Sequence, residues 1–225
     1  MTEQQTPALN QIGESMTDNS FIARIFTEAR THKAFLDRPV EESTLRQLYE
    51  TAKFAPSASN LCPMRISFVT SAEAKQTVIA AAADGNKPKV ESAPVVAIIA
   101  HDSRFHNHIG TLAPHMDADA YAAQDASRLE AVAIENSWLQ AGFLISAARA
   151  LGLDCGPMSG FSKQAIDDAF YAGSSWKSDF LMNIPIPRLP PYAKRPTNLV
   201  MAACLPAVVI LSGWPVAGRP AGSAG

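Results

Sequence analysis

The chain has 225 residues, 47% of them hydrophobic and 18% charged, with a formal net charge of −2. Such a chain can bury one sizeable core, and it lacks the basic surplus of a general nucleic-acid binder. The cysteines Cys62, Cys155 and Cys204 are scattered and form no CxxC pair. They indicate neither a disulfide framework nor a zinc cluster, and they fit a reducing cytoplasm. The longest apolar run, Leu199–Trp214, is interrupted by Pro206 and falls short of the roughly 20 residues of a spanning helix. No membrane span is expected.

Residues 1–19 are polar, without the basic start and apolar stretch of a secretory signal, and read as a flexible leader. From Ser20, SFIARIFTEARTHKAF places Ile22, Ile25, Phe26 and Ala29 on one helical stripe. EESTLRQLYETAKFAPS repeats the pattern with Leu45, Leu48, Tyr49 and Ala52 and should end before Pro56. MRISFVTS alternates like a half-buried strand. SAEAKQTVIAAAA reads as a helix, and the β-branched run in APVVAIIAHD as a strand covered on both faces. A polar loop is expected from Asp102 to Asp119. The longest helix follows over Arg128–Leu151, apolar around much of its circumference. LDCGPM is a short strand, SKQAIDDAF a helix with Ser162 as N-cap, and SDFLMNI another strand. Helices and strands mix without a strict βαβ repeat, so the fold class is α+β.

Four stretches could carry chemistry. In EARTHKAF, Arg30, His32 and Lys33 gather potential cations that would suit a phosphate, or simply form a solvated basic face. In APSASNLCPMR, the small polar loop Pro56, Ser57, Ala58, Ser59, Asn60 offers main-chain N–H groups, hydroxyls and an amide. Those residue types also favour ordinary turns. DGNKPKVESAP carries Asn86 and Lys89 and alone reads as a surface turn. In ALGLDCGPMSGF, Gly156 and Gly160 bracket Pro157, Met158 and Ser159. Glycine permits close approach of main chain to a ligand, and methionine offers a flat, polarizable surface.

Other features are weaker. His106 and His108, with His115 nearby, lack a carboxylate cluster at ligand spacing, so no metal is expected. Asp167 and Asp168 read as the solvated side of a helix. Cys62 has no identifiable partner base. Neither GxGxxG nor a Walker lysine motif is present.

Taken together, ARTHKAF, FAPSASNLCPMRISF, DGNKPKVESAP, NSWLQAGFLISAARALGLDCGPMSGF and DDAFYAGSSWKSDFLMNI resemble the FMN-dependent nitroreductase family. More narrowly, they are similar to the branch containing the malonic semialdehyde reductase of pyrimidine breakdown. The resemblance spans residues 20–184. It implies a nitroreductase-like α+β fold, with a central, mostly antiparallel sheet flanked by helices, and an intertwined homodimer with FMN at the interface. It assigns Arg30, His32 and Lys33 to the flavin phosphate. It assigns Pro56, Ser57, Ala58 and Asn60, from the partner subunit, to the ring and ribityl chain. Asn86 and Lys89 join the cofactor site, and Pro157, Met158, Ser159 and Gly160 lie alongside the isoalloxazine.

The implied chemistry is ping-pong hydride transfer from NADPH or NADH through the flavin to a small-molecule electron acceptor. The flavin bears that chemistry, so no catalytic acid or base is assigned. Reduction of malonic semialdehyde to 3-hydroxypropionate is the leading reading, with Arg65 as the cation for a substrate carboxylate. The alternatives are a general reductase of nitroaromatics, quinones or enals, and a flavin-binding protein with little turnover.

Residues 185–225 depart from the family pattern. No Asp or Glu occurs from Phe180 to Gly225, and eight of the sixteen prolines fall there. Lys194 and Arg195 are the candidates for the expected late cations. The composition fits a divergent tail, or the product of a shifted reading frame never selected to fold. The end, PVAGRPAGSAG, is expected to be disordered.

Overall fold

Among the described residues, five strands pair into one sheet. The computed structural model describes residues 19–31, 35, 38–186 and 208–210. The strands are β1 (Met64–Val69), β2 (Val96–Asp102), β3 (Gly156–Met158), β4 (Trp176–Asn183) and β5 (Val208–Ile210), in the order β3-β4-β2-β1-β5. The β3–β4, β4–β2 and β2–β1 pairings are antiparallel, and β5 alone runs parallel to its neighbour β1. The expected mostly antiparallel sheet is present.

Side-chain alternation sends residues of each strand to opposite faces. On one face, Met64, Ile66, Phe68, Ile99, Phe180 and Met182 pack against helices α2 (Glu42–Ala52) and α7 (Ala126–Ala150). On the other, Val69, Val96, Ile98 and Leu181 meet α3 (Ala72–Ala81), α4 (Lys87–Ser92) and α8 (Lys163–Phe170). Short helices α5 (Ile109–Leu112) and α6 (Ala118–Ala122), with a 3-10 turn at Phe105–His108, form a third cluster around Leu61, Leu129 and Ala133. The α+β class holds. The Ser162 cap is also as expected: its side chain accepts from the Ala165 amide at 3.2 Å.

Three local expectations change. β1 is buried on both faces, because its polar positions Arg65 and Ser67 find buried partners in Asp102 and Tyr171. The Asp102–Asp119 stretch holds short helices where a loop was expected, drawn in by buried Phe105 and Ile109. The first helix, α1 (Asn19–Ile22), runs into a π turn at Ala23–Thr27 and stops there, short of Phe35. Arg30 closes it by donating to the Thr27 and Ala29 carbonyls at 3.0 and 2.8 Å. Ile25 and Ala29 are buried, while Ile22 and Phe26 stay exposed.

In the C-terminal stretch, the Pro185 carbonyl accepts from Asp154 N at 2.9 Å, and Ile186 packs against the core. Val208–Ile210 pair with Ile66–Phe68. Residues 1–18 of the leader, the PVAGRPAGSAG end, His32, Lys33, Lys194 and Arg195 lie outside the described residues, while Asn19 already belongs to α1. Among the described residues, no helix is long and apolar enough to cross a membrane.

Leu144 of α7 is fully buried between helix and sheet. Leu144→Ala should therefore lower unfolding free energy by about 3 kcal/mol, the cost of a buried leucine cavity, as read by urea denaturation.

Candidate functional site

At the β3 edge of the sheet, the chain folds three of the four singled-out stretches together. Gly156 pairs with Asn183 in register, and a Cβ at Gly156 would lie 3.7 Å from Thr31 Cγ2. The segment after Arg30 thus passes over the start of β3. Beyond Met158, the turn is pinned from the other side. The Gly160 carbonyl accepts from the Ala83 amide at 2.9 Å and from Asn86 Nδ2 at 3.0 Å. Asn86 Oδ1 in turn accepts from Lys89 Nζ at 2.8 Å. Pro157 and Ser159 are exposed, while Met158, Asn86 and Lys89 are half-buried.

Gly160 sits tightly against the side chain that bonds it. A Cβ there would come 2.7 Å from Asn86 Nδ2, the nitrogen that bonds its carbonyl. The α4 helix supplies the other half of this contact. Asn86 occupies its N-cap, Pro88 favours the first turn, and Lys89 lies three residues on, facing Asn86. What reads alone as a surface turn is a helix start aimed at the Gly160 main chain.

The Pro56–Asn60 loop is anchored elsewhere. The Ala58 amide donates to Asn136 Oδ1 at 2.7 Å, and Asn60 Nδ2 donates to the Leu112 carbonyl at 2.6 Å. Ser57 Oγ accepts from the Cys62 amide at 3.0 Å. Ser59, Asn60 and Cys62 all adopt left-handed backbone, with φ of 48°, 57° and 43°. Each such residue costs about 1–2 kcal/mol outside glycine, so the surrounding bonds must hold the loop in shape. Pro56, Ala58, Ser59 and Asn60 remain exposed. The loop enters β1 at Met64, whose partner is His101 at the far end of β2, whereas Gly156 aligns with Asn183 and Val96 at the opposite end. Three strand spacings, roughly 14 Å, also separate β1 from β3. One chain therefore presents two separate surfaces.

Arg65 does not stand open to a substrate. It is 6% exposed, and its Nη2 donates to Asp102 Oδ2 at 2.8 Å. Its Nη1 donates to the Cys62 and Met64 carbonyls at 3.0 and 2.9 Å. Burial works against the charged form of both partners. For Asp102, hydrogen bonds from Ser175 Oγ and the Arg104 amide, together with the charge of Arg65, win and hold the carboxyl below its usual range. Arg65 thus ties the loop end and β1 to β2.

Sequence reasoning missed several polar residues around these surfaces. Asn136, Ser137 and Gln140 are buried on α7, and Gln140 Oε1 accepts from the Met64 amide at 2.9 Å. Ser137 Oγ donates to Asp179 Oδ2 at 2.7 Å, and Asp179 Oδ1 lies 2.9 Å from His101 Nδ1. Asn183, 1% exposed, donates from Nδ2 to the Lys89 carbonyl at 2.7 Å. The available signal was polarity inside apolar runs, NSWLQ and FLMNI. Among the described residues, no group of three or more His, Cys, Asp or Glu could hold a metal ion.

Comparison with known proteins places this geometry. The model of the nitroreductase family matches residues 27–182. A Stutzerimonas stutzeri protein provisionally named NADH dehydrogenase/NAD(P)H nitroreductase is 48% identical over 167 residues, covering 74% of this chain and 85% of that protein. A Leptothrix cholodnii protein of the same provisional name is 47% identical over 169 residues, with 74% and 85% covered. A solved Exiguobacterium sibiricum structure, described as a provisional nitroreductase in complex with FMN, superposes with TM-score 0.64 at 23% identity. That match covers 80% of this chain and 94% of the solved one.

Breaking the Arg65–Asp102 pair leaves a buried guanidinium without its counter-charge. Asp102→Asn should cost about 3 kcal/mol of stability at pH 7. The Asp102 carboxyl is held low in the fold, so its contribution is present above the unfolded value near 4 and is lost as pH falls through the folded one. Thermal melts between pH 2 and 7 should show that part of the acid dependence in the wild type and not in Asp102→Asn.

Proposed function

The chain belongs to the nitroreductase family, and on that premise we propose that it is an FMN-dependent NAD(P)H oxidoreductase working by ping-pong hydride transfer. The observation that carries this reading is the Lys89–Asn86–Gly160 contact beside a turn with little side-chain bulk. FMN bound there would supply the hydride-transfer chemistry between NAD(P)H and an acceptor. The residues present fit that group. The exposed Pro157–Ser159 stretch offers main chain to a planar ring. Asn86 and Lys89 supply an amide and a cation at its edge, and Arg30 supplies a guanidinium on the adjoining segment. The FMN complex of the Exiguobacterium protein supports the cofactor, and the names of the Stutzerimonas and Leptothrix relatives support NAD(P)H as donor.

We further read the working unit as a homodimer. The Pro56–Asn60 loop and the Gly160 turn lie too far apart in one chain to hold one ring, so a second copy supplies the loop. Exposed Phe21, Phe26, Trp138, Leu139 and Phe143 give such a partner an apolar surface. The roles of His32, Lys33, Lys194 and Arg195 as further phosphate cations belong to the same proposal. Malonic semialdehyde is the proposed acceptor, on the resemblance of the sequence stretches to that branch. The relatives' names favour a nitroaromatic acceptor as the second reading.

Purified protein should release FMN on denaturation, bleach with NADPH or NADH without oxygen, and recolour with the true acceptor. A panel of malonic semialdehyde, a nitroaromatic and a quinone decides which. A protein that holds no flavin after reconstitution overturns the reading. Gly160→Ala, whose Cβ displaces Asn86, should weaken FMN binding about tenfold, as expected for one lost hydrogen bond and its unpaired partner. Flavin fluorescence titration measures the change.

A further inference from the structure

Asn183 ends β4 between Gly156 of β3 and Val96 of β2. It shares the face of Leu181, where α4 packs. A strand reading Phe-Leu-Met-Asn-Ile in the centre of a sheet would ordinarily take an aliphatic residue here. The asparagine is 1% exposed, and its Oδ1 meets no donor among the described residues. Leaving an amide oxygen buried that way is unfavourable, so the side chain is kept for its other end. Nδ2 donates to the Lys89 carbonyl at 2.7 Å.

The Lys89 side chain carries the contact onward. Lys89 Nζ donates to Asn86 Oδ1 at 2.8 Å, and Asn86 Nδ2 donates to the Gly160 carbonyl at 3.0 Å. The short helix α4 is thus held at the Lys89 main chain by the sheet, and holds the Gly160 turn through the Asn86 amide.

We propose that Asn183 is a positioning residue for the cofactor site, fixing α4 so that Lys89 and Asn86 present one geometry to the Gly160 turn. This rests on the reading of Asn86, Lys89 and Gly160 as flavin-holding residues. Asn183 touches no cofactor itself in this scheme. It acts through Lys89 and Asn86, and so its effect must be coupled to theirs.

The test is a double-mutant cycle on FMN affinity, measured by fluorescence titration of reconstituted full-length protein. Asn183→Leu keeps the branched shape, with some added bulk, and removes the donor. It should weaken FMN roughly five- to tenfold. Asn86→Ala should weaken it at least as much, and the double variant should match Asn86→Ala alone within about twofold. Amide exchange of the apoprotein gives an independent readout. The Ala83 amide, which bonds Gly160 O, should exchange about tenfold faster in Asn183→Leu. Should Asn183→Leu not fold, Asn183→Ala is read the same way. Wild-type FMN affinity in the Asn183 variants, or multiplying effects in the double, overturns the positioning role and leaves the flavin site standing. A wild-type protein that never binds FMN overturns both.

Discussion

The structure depends on how one mostly apolar helix satisfies the main chain beside it. α7 carries Asn136, Ser137 and Gln140 at spacings that bring them to one side of the helix. Each spends its polarity on a neighbouring main-chain or carboxylate group. Gln140 Oε1 takes the Met64 amide at the mouth of β1, and Asn136 Oδ1 takes the Ala58 amide in the loop before it. Ser137 Oγ donates to Asp179 Oδ2 at 2.7 Å, with the Ala100 carbonyl 3.2 Å away. An unpaired buried amide costs about 1–3 kcal/mol, so these bonds fix the register of helix against sheet more sharply than leucine packing alone. They also let three left-handed residues persist in the Ser59–Cys62 stretch.

A break in the β2–β4 register serves the same end. Ile99 pairs with Phe180 and Ala100 with Ser178, so Asp179 is skipped. An extra residue in one strand re-aims its side chain. Asp179 consequently points at His101 and Ser137 and is 1% exposed. Sheet, helix and loop are thereby joined on the Met64 side, while Asn183, α4 and the Gly160 turn are joined at the other end. The two surfaces are built by separate networks.

Much of this was legible before any coordinates. Periodicity located α2, α3, α7 and α8 and the four antiparallel strands, because hydrophobic spacing is a local property read directly from sequence. The Gly156–Gly160 bend was also legible, since glycine at a close approach leaves a composition signal. Partners were not. Arg65 next to Met64 reads as a free cation until β2 brings Asp102 beside it, 37 positions away. Asn86 and Lys89 read as a surface turn until the chain returns at Gly160. The π turn at Ala23–Thr27 was hidden because it buries Ile25 and Ala29 as an ordinary helix would, and only its hydrogen-bond pattern differs. Asn183 could have been suspected from a lone amide in an apolar strand, but its acceptor is the Lys89 main chain, which no side-chain pattern reports.

Titratable groups in the interior are committed to structure. Burial raises the Cys155 thiol to about 12, with Arg149 pulling it down and Asp154 pushing it up. It therefore stays a neutral packing group at physiological pH. Burial likewise raises the Tyr171 phenol, whose hydroxyl is spent on Ser67 Oγ at 3.0 Å. Asp102 is locked to Arg65 and Ser175. The groups left at the β3 edge are main-chain atoms, an amide and an ammonium, all held by short bonds in fixed directions. Such a set does not itself move protons or electrons. On the proposed reading it would fix where a bound molecule lies and what charge it meets, which is what a protein must supply when the reactive atoms belong to its cofactor. On that reading, the contacts linking Asn183 to Lys89, Asn86 and Gly160 would bear on function as directly as any residue that would touch the ring.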